Sequence, residues 1–447
     1  MLLELTIENY LSFNQAITAS FLATRERQHG FHLSEYNIGS FKRKKVVPVA
    51  VMFGGNASGK SNFFRALVFA KQKVTVSNEK VSRIAFKLNE DCLKKPSKLG
   101  FKLLAGGNEY SYSFEVSDDA IISEELSLSN PKGKEILFSR AIGKDTFFGK
   151  CLSEVEPLRV IDKQLVKGDQ LLLNAVALTK ILEKESHLKN VFNWFKETLI
   201  PIYPDVPCQI HLRGDAWSDL GQMMAHLDTG ISSIDKKEIP YAELSRQEPK
   251  IDQVLDATDG GTLRISRQYG QMPTEYFSLA KENGIKKSYQ IIPHHKDSEN
   301  KNVEFSFAEE SEGTRRLLEI LPVFAYSTKS LKDKVFVFDE ADKGIHPLLM
   351  EKVISDFLEE RSPKSRNQIL MSAHSSNLMT QRIFRRDEIY LCCRNQDGSS
   401  EITRMSDFAV RRDEDLTRQY LKSVFGGTPD LAQFNIFDFA RSHSWDE

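Results

Sequence analysis

The sequence predicts an α/β fold built around a parallel sheet, and three observations support this prediction. A continuous apolar run, Val46–Phe53, leads into a glycine-rich loop and then into a helical pattern. A second apolar run, Val335–Phe338, ends in two carboxylates, and a third, Gln368–Ser372, lies close before a histidine. Continuous apolar strands of this kind are typical of parallel sheets that are covered on both faces.

Residues 54–61 follow the first apolar run and match the pattern G-x-x-x-x-G-K-[ST] of a phosphate-binding loop. In such a loop, backbone N–H groups surround a phosphate, the lysine reaches the β- and γ-phosphates, and the hydroxyl ligates Mg²⁺. The helix predicted to begin at Lys60 points its positive end at the anion. We therefore predict that a nucleoside triphosphate and Mg²⁺ bind to Gly54, Gly55, Asn56, Ala57, Ser58, Gly59, Lys60 and Ser61.

The composition excludes several other classes of protein. The chain has 447 residues, of which 40% are hydrophobic and 28% charged, as in ordinary globular proteins of two or three domains. Its five scattered cysteines argue against a disulfide framework and against a structural zinc site. Without a secretion signal or a membrane-length apolar run, we expect a cytoplasmic protein. The net charge of −1 indicates no general affinity for nucleic acid, although the basic run Lys42–Lys45 is compatible with a local contact to nucleic acid.

The remaining elements are predicted in chain order. Alternating residues predict a strand at the N-terminus, and more strands up to residue 128 predict an antiparallel β arm. A helical pattern runs from Asp169 to about Tyr203. Residues 205–300 are predicted to form an insertion, with strands at Leu263–Tyr269 and Tyr276–Leu279. His294 and His295 are predicted in a surface loop. The nucleotide-binding unit is then formed by residues 1–170 and 303–447, and residues 171–302 form a helical and mixed α/β insertion between them.

Two carboxylates follow the apolar strand Val335–Phe338, where ligands bind in open α/β sheets. Asp339 is predicted to hold Mg²⁺ through its water shell. Glu340 is predicted to orient and deprotonate the attacking water. This pattern is weak alone and becomes strong beside a phosphate loop in the same chain.

Two further features complete the candidate site. His374 follows the strand Gln368–Ser372, from which it could hydrogen-bond the γ-phosphate; a structural role is the alternative. Ser311 is predicted as the N-cap of a helix that begins Glu312-Gly313-Thr314, which would offer a second anion-binding helix terminus.

The order of these motifs resembles the ATP-binding-cassette (ABC) class of ATPase heads, as in the SMC and RecF proteins. The segments Glu310–Leu317, Asp339–Pro347 and Ser372–Leu378 are similar to those of bacterial abortive-infection ATPases of the RloA kind. These are related to the ATPase domain of OLD nucleases and to AriA of the PARIS defence system. The tail Arg418–Pro429 resembles their usual ending. The resemblance covers both ends of the chain and little of residues 205–300.

The resemblance implies an ABC-type head that works in pairs. ATP would be enclosed between the phosphate loop of one subunit and the Ser311 and Gly313 segment of another, with Asp342 at the dimer seam. The segment reads Ser-Glu-Gly-Thr instead of Ser-Gly-Gly-Gln, as is common in this subgroup. No glutamine is assigned to the loop that usually couples Mg²⁺ to the arm, because Gln72 lies too close to the phosphate loop.

The leading functional hypothesis is a slow ATPase that acts as a sensor or scaffold in an anti-phage system. It would control a separate effector, such as a Toprim-like nuclease. Residues 375–447 are too few for a nuclease domain of roughly a hundred residues, so we expect none in this chain. The alternative is a DNA-repair or chromosome-maintenance clamp of the RecF and SMC kind, which would bind DNA. A third hypothesis is an ATP-gated binding module with negligible turnover.

Overall fold

The computed structural model of the chain describes most of its length. The described residues are 1–38, 42–76, 81–130, 133–166, 168–202, 216–247, 251–256, 263–269, 272–282, 284–330, 332–362, 364–411 and 414–428. One of the five cysteines, Cys208, and the last residue of the tail Arg418–Pro429 lie outside these residues. No helix among the described residues is long and apolar enough to cross a membrane.

A six-stranded sheet, the nucleotide sheet, forms the centre of the molecule. Its strands, in spatial order, are Leu199–Ile202, Val335–Phe338, Gln368–Ser372, Val49–Phe53, Ile389–Arg394 and Ser400–Arg404. The first five are parallel and the last is antiparallel to its neighbour. The predicted α/β class is therefore confirmed. Of the predicted run Val46–Phe53, only Val49–Phe53 belongs to this sheet. Val46 instead ends the strand Lys42–Val46, which pairs with Ser34–Ile38 in a separate hairpin.

The nucleotide sheet lies between two hydrophobic cores, because alternate side chains of a strand point to opposite faces. Ala50 and Met52 belong to the core that contains helix Lys60–Thr75. Val49, Val51 and Phe53 belong to the other core. That second core contains the helices Glu312–Lys329 and Pro347–Glu360. Both faces of the central strands are thus buried, as their continuous apolar sequences predict.

A seven-stranded antiparallel sheet covers the face that carries helix Lys60–Thr75. Leu5 and Phe101 of this sheet share one core with Phe63 and Leu67 of that helix, so the sheet is a packed layer of the molecule. The strands predicted up to residue 128 are present with somewhat longer bounds. In spatial order they are Phe147–Phe148, Gly133–Ala141, Ile121–Asn130, Asn108–Val116, Ser97–Ala105, Leu2–Glu8 and Ile17–Ser20.

The region predicted as helical from Asp169 is broken into short pieces. It contains Leu172–Ala177, Ile181–Lys184, Ser186–Asn193 and the π-helix Trp194–Thr198. Leu178, the C-cap residue of the first of these helices, is 64% exposed. The segment then enters the nucleotide sheet as strand Leu199–Ile202. The proposed division at residues 171–302 stays a prediction, and this strand of the sheet falls inside it.

A further sheet, the insertion sheet, lies between residues 231 and 304. It is built, in spatial order, from Ile231–Ile239, Ile285–Lys296, Met272–Glu282 and Leu263–Tyr269, and Asn302–Glu304 also pairs with Ile285–Lys296. The two strands predicted in this region are confirmed. His294 and His295 lie on strand Ile285–Lys296, so the predicted surface loop is wrong. The reason is that this end of the strand pairs with a strand on each side, and residues 291–294 are buried there.

The other helices are short or peripheral to the nucleotide sheet. They are Glu90–Lys94, Val155–Gln164, Ala216–Ala225, Tyr241–Gln247, Ile251–Asp256 and Leu416–Leu421.

Candidate functional site

The phosphate loop connects strand Val49–Phe53 to helix Lys60–Thr75, as predicted. Gly59 caps the helix in a left-handed conformation, with φ at 110°. A Cβ atom at this position would lie 2.2 Å from Ser400 Oγ, and one at Gly54 would lie 2.4 Å from the carbonyl oxygen of Cys392. The loop therefore needs glycine at both positions, because neighbouring strands approach its backbone so closely.

Lys60 opens the helix and is only 5% exposed. Its ammonium group donates hydrogen bonds to the carbonyl oxygens of Gly54 (2.7 Å) and Gly55 (3.0 Å). Burial lowers the pKa of Lys60, whereas the nearby groups Cys392, Asp339, Glu340 and Asp342 act to raise it. A buried cation at a helix N-terminus, beside a loop of close backbone amides, fits the binding of a phosphate group.

Asp339 and Glu340 lie directly after strand Val335–Phe338, beside the end of the neighbouring parallel strand. The Ser372 hydroxyl donates to Asp339 Oδ1 (2.6 Å) and accepts from the Glu340 backbone N–H (2.7 Å). Glu340 has a φ of 51°, a strained backbone conformation for a residue with a side chain. Ser372 thus fixes both carboxylate residues, a role that its place in an apolar strand did not reveal.

His374 contacts the predicted catalytic carboxylate. Its Nε2 lies 3.2 Å from Glu340 Oε1, and the side chains of His374 and Glu340 are 44% and 37% exposed. Both groups therefore remain reachable from solvent while they orient each other. The sequence did not predict this contact between His374 and Glu340, and the contact of His374 with a γ-phosphate stays a prediction.

Asp342 holds the chain segment that carries His374. Its carboxylate accepts hydrogen bonds from the backbone N–H groups of His374 (3.0 and 3.1 Å) and Ser375 (2.7 Å). The residue is 7% exposed. The structure gives this carboxylate partners within its own chain, and the predicted contact at a dimer seam stays a prediction.

Ser311 is the N-cap of helix Glu312–Lys329, as predicted. Its hydroxyl accepts from the Thr314 backbone N–H at 3.0 Å. Gly313 packs against the loop that follows Asp342, where a Cβ at position 313 would lie 2.1 Å from the Gly344 carbonyl oxygen. This close approach requires glycine at position 313, independently of any nucleotide.

Arg316 connects the Ser311 helix to the carboxylate residues. It is 4% exposed and donates to the carbonyl oxygens of Asp339 (3.0 Å) and Glu340 (3.3 Å). Its other terminal nitrogen donates to Glu319 Oε2 (2.8 Å), which balances the buried charge. Sequence reasoning missed this residue. The available signal was the i, i+3 pairing of an arginine and a glutamate on the apolar face of a helix.

The C-terminal tail reaches the phosphate loop. The carbonyl oxygen of Gly427 accepts from the Gly55 backbone N–H (2.5 Å) and from the Tyr420 hydroxyl (3.0 Å). Gly427 has a φ of 77°, which favours glycine. The sequence alone did not indicate that the tail contacts the loop.

The arrangement fits Mg²⁺ and a triphosphate in its chemistry. Ser61 lies in the first turn of helix Lys60–Thr75, and Asp339 lies two strands away at the same edge of the sheet. The described residues include no group of three or more His, Cys, Asp or Glu side chains that could hold a metal. Mg²⁺ suits this setting, because it commonly takes one or two protein oxygens and completes its shell with water and phosphate.

A comparison with protein families found a model that matches most of the chain. Residues 49–380 match the model described as "AAA domain, putative AbiEii toxin, Type IV TA system". The match begins with the strand before the phosphate loop and includes Ser311, Asp339, Glu340 and His374. A search of curated proteins found no match. Since the match covers well over half of the sequence, the chain belongs to this family of AAA-domain P-loop ATPases.

Proposed function

We propose that the chain is the ATPase subunit of a bacterial abortive-infection system, in which paired copies enclose ATP and control a separate effector protein. The proposed fold is an ABC-type head close to the RloA, OLD and PARIS ATPases, and the proposed effector is a Toprim-like nuclease in the same cytoplasm. The family description, which names a putative AbiEii toxin and a type IV TA system, supports the defence context.

The observation that carries the proposal is the assembly at the carboxyl edge of the nucleotide sheet. Glu340 and His374 contact each other, and Ser372 ties Asp339 to the backbone of Glu340. The phosphate loop follows strand Val49–Phe53, which is the neighbour of Gln368–Ser372. The phosphate loop and the candidate base Glu340 therefore lie at the same edge of the nucleotide sheet, where α/β proteins bind ligands.

Each side chain then has a role in hydrolysis. Lys60 supplies positive charge to the terminal phosphates, and Glu340 orients the attacking water and accepts its proton. His374 keeps Glu340 in position. Ser61 and, through water, Asp339 would hold Mg²⁺, which would supply positive charge to the phosphates.

The location of the Ser311 helix supports a site shared between two copies. The first turn of this helix packs against Gly344, in the loop that follows strand Val335–Phe338. That strand is separated from the phosphate-loop strand by Gln368–Ser372. We propose that the first turn, with Ser311 and Gly313, faces the ATP of a second subunit, and that Asp342 and its loop line the contact between the two.

The experiment that tests the proposal measures oligomeric mass with a variant that binds ATP without cleaving it. Glu340→Gln is expected to be a dimer or a larger assembly with ATP and Mg²⁺ and a monomer with ADP, by size-exclusion chromatography with light scattering. Lys60→Ala in the same background removes the phosphate contact and is the control that should stay monomeric. An equal mass with and without ATP would refute the proposal of an ATP-enclosed dimer.

The alternative function, a DNA clamp of the RecF and SMC kind, depends on the basic run Lys42–Lys45. In the structure, Lys44 pairs with Glu109 at 2.7 Å and Lys45 pairs with Glu35 at 3.0 Å. Both pairs reduce the positive charge that this run offers to DNA phosphates. DNA binding that requires ATP and weakens steeply with salt would favour the alternative.

A further inference from the structure

The insertion sheet is joined to the nucleotide-binding part of the molecule by one of its faces. Neighbouring residues of strand Met272–Glu282 point to opposite faces. Tyr276 belongs to the large core beneath the nucleotide sheet, together with Phe307. Phe277 belongs to a small separate core under the two helices Tyr241–Gln247 and Ile251–Asp256. The sheet therefore connects a distinct outer core to the core that supports the candidate site.

His295, near the end of strand Ile285–Lys296, contacts the residue that precedes the Ser311 helix. Its Nε2 lies 2.8 Å from Glu310 Oε1. Glu310 immediately precedes the N-cap residue Ser311, and its side chain is 4% exposed. A buried carboxylate is costly without a hydrogen-bond donor, so this contact has a strong influence on where Glu310 lies.

The segment between the insertion sheet and the helix is held from both sides. The ring of Phe305 lies 4.2 Å from that of His295, and the ring of Phe307 lies 4.4 Å from that of Tyr276, between centroids. From the helix, the Arg315 guanidinium donates to the carbonyl oxygens of Phe307 (3.2 Å) and Glu310 (2.7 Å). Displacement of the sheet therefore acts directly on the first turn of the Ser311 helix.

We propose that His295 is a positioning residue, through which the insertion sheet sets the place of the Ser311 helix terminus and so controls ATP hydrolysis. The inference rests on the proposed function, in which that terminus completes the site of a second subunit. A ligand or partner protein that shifts the outer part of the insertion would change the rate of hydrolysis through this contact. The phosphate loop of the same chain would keep its affinity for ATP.

The test is the variant His295→Leu, which removes the hydrogen bond and replaces the ring with an apolar side chain of moderate size. Loss of a hydrogen bond to a charged group predicts a fall in kcat of about tenfold or more. The affinity of the monomer for ATP should stay within about twofold, because Lys60 and its loop are untouched. In the Glu340→Gln background, the same change should weaken ATP-dependent dimerisation by about tenfold.

Two further variants show whether the hydrogen bond is the cause. His295→Gln keeps a donor and should restore most of the kcat, and Glu310→Gln keeps the size of its partner and should lower kcat by an intermediate factor. His226→Leu, at an exposed histidine of the same insertion, is the matched control and should leave kcat unchanged. If His295→Leu does not fold, Glu310→Gln decides alone, and a normal kcat in that folded variant refutes the inference.

The two proposals fail in different ways. A Glu340→Gln protein that never dimerises with ATP refutes the shared site itself. If His295→Leu alone has a normal kcat, and Glu340→Gln dimerises equally well with and without His295→Leu, only the role of His295 is refuted. A uniform loss of ATP affinity and kcat together would indicate general damage to the fold and would also contradict the inference.

Discussion

The phosphate loop and the carboxylate loop, residues 339–346, lie at the same edge of the nucleotide sheet but are held by different interactions. In the phosphate loop, the backbone packs against neighbouring strands so closely that Gly54 and Gly59 cannot carry a side chain. In the carboxylate loop, side chains from distant segments bind the backbone. Arg316 donates to its carbonyl oxygens, and Ser372 accepts from one of its N–H groups.

The two loops therefore differ in how far the local sequence specifies their conformation. A loop shaped by glycines and a following lysine carries its geometry in eight consecutive residues, and a short motif is enough to find it. A loop shaped by long-range hydrogen bonds depends on partners more than twenty residues away, such as Arg316 for Asp339. Substitutions in the two loops should therefore damage different properties, and the following predictions test that separation.

The largest expected effect is on the chemistry of the carboxylate loop. Glu340→Gln removes the candidate base and keeps its size, so hydrolysis should fall by roughly 10²–10⁴-fold, the usual contribution of general base catalysis. ATP binding, measured by calorimetry, should stay near normal because the phosphate loop is unchanged. The control is Glu360→Gln, at an exposed glutamate of helix Pro347–Glu360. Hydrolysis at the normal rate would show that Glu340 is not the base.

The second-largest effect is expected from a substitution in the phosphate loop. Gly59→Ala adds a Cβ that meets Ser400 Oγ at 2.2 Å and strains a backbone with φ at 110°. Strain costs about 1–3 kcal/mol and overpacking adds a similar amount, so ATP affinity should fall by about a hundredfold or more. Gly107→Ala is the control, since this glycine also has a positive φ but no atom within 4 Å of the new Cβ. Equal losses of ATP affinity in both variants would contradict the importance of close packing.

A smaller effect should come from the hydrogen bonds that hold the His374 segment. Asp342→Asn removes the negative charge that accepts three N–H contacts, and we expect the free energy of unfolding to fall by about 2 kcal/mol. Hydrolysis should fall more than ATP affinity. Asp356→Asn, at an exposed pair with Lys352, should leave urea denaturation essentially unchanged. A variant as stable as the wild type would show that the three hydrogen bonds contribute little.

The smallest effect should come from the tail that supports the phosphate loop. Tyr420→Phe removes one of two hydrogen bonds to the Gly427 carbonyl oxygen. A neutral hydrogen bond contributes about 0.5–1.5 kcal/mol, so ATP affinity should fall by about two- to tenfold with kcat nearly unchanged. Tyr326→Phe, on the Ser311 helix, is the control. A larger fall in kcat than in affinity would place the tail in the hydrolysis step instead.

The sequence predicts the nucleotide sheet better than the rest of the molecule. The strands Val335–Phe338 and Gln368–Ser372 have the predicted bounds, because a continuous apolar run buried on both faces is a strong local signal. Strand Leu199–Ile202 was missed, since it directly follows a π-helix and its sequence Leu-Ile-Pro-Ile contains a proline. The placement of His295 on a strand was missed because its pairing partners, Ile231–Ile239 and Asn302–Glu304, are not visible in the local sequence.

By itself, the sequence determined the fold class, the phosphate loop and the residues at the ends of two central strands. These features are encoded in short segments, where apolar runs and glycine spacing act locally. Only the tertiary structure decided how the candidate site is supported. Ser372 reaches Asp339, Asp342 reaches the His374 segment, and His295 reaches Glu310, all through hydrogen bonds between separate elements. Such contacts depend on how elements pack in space, and the order of residues along the chain does not show them.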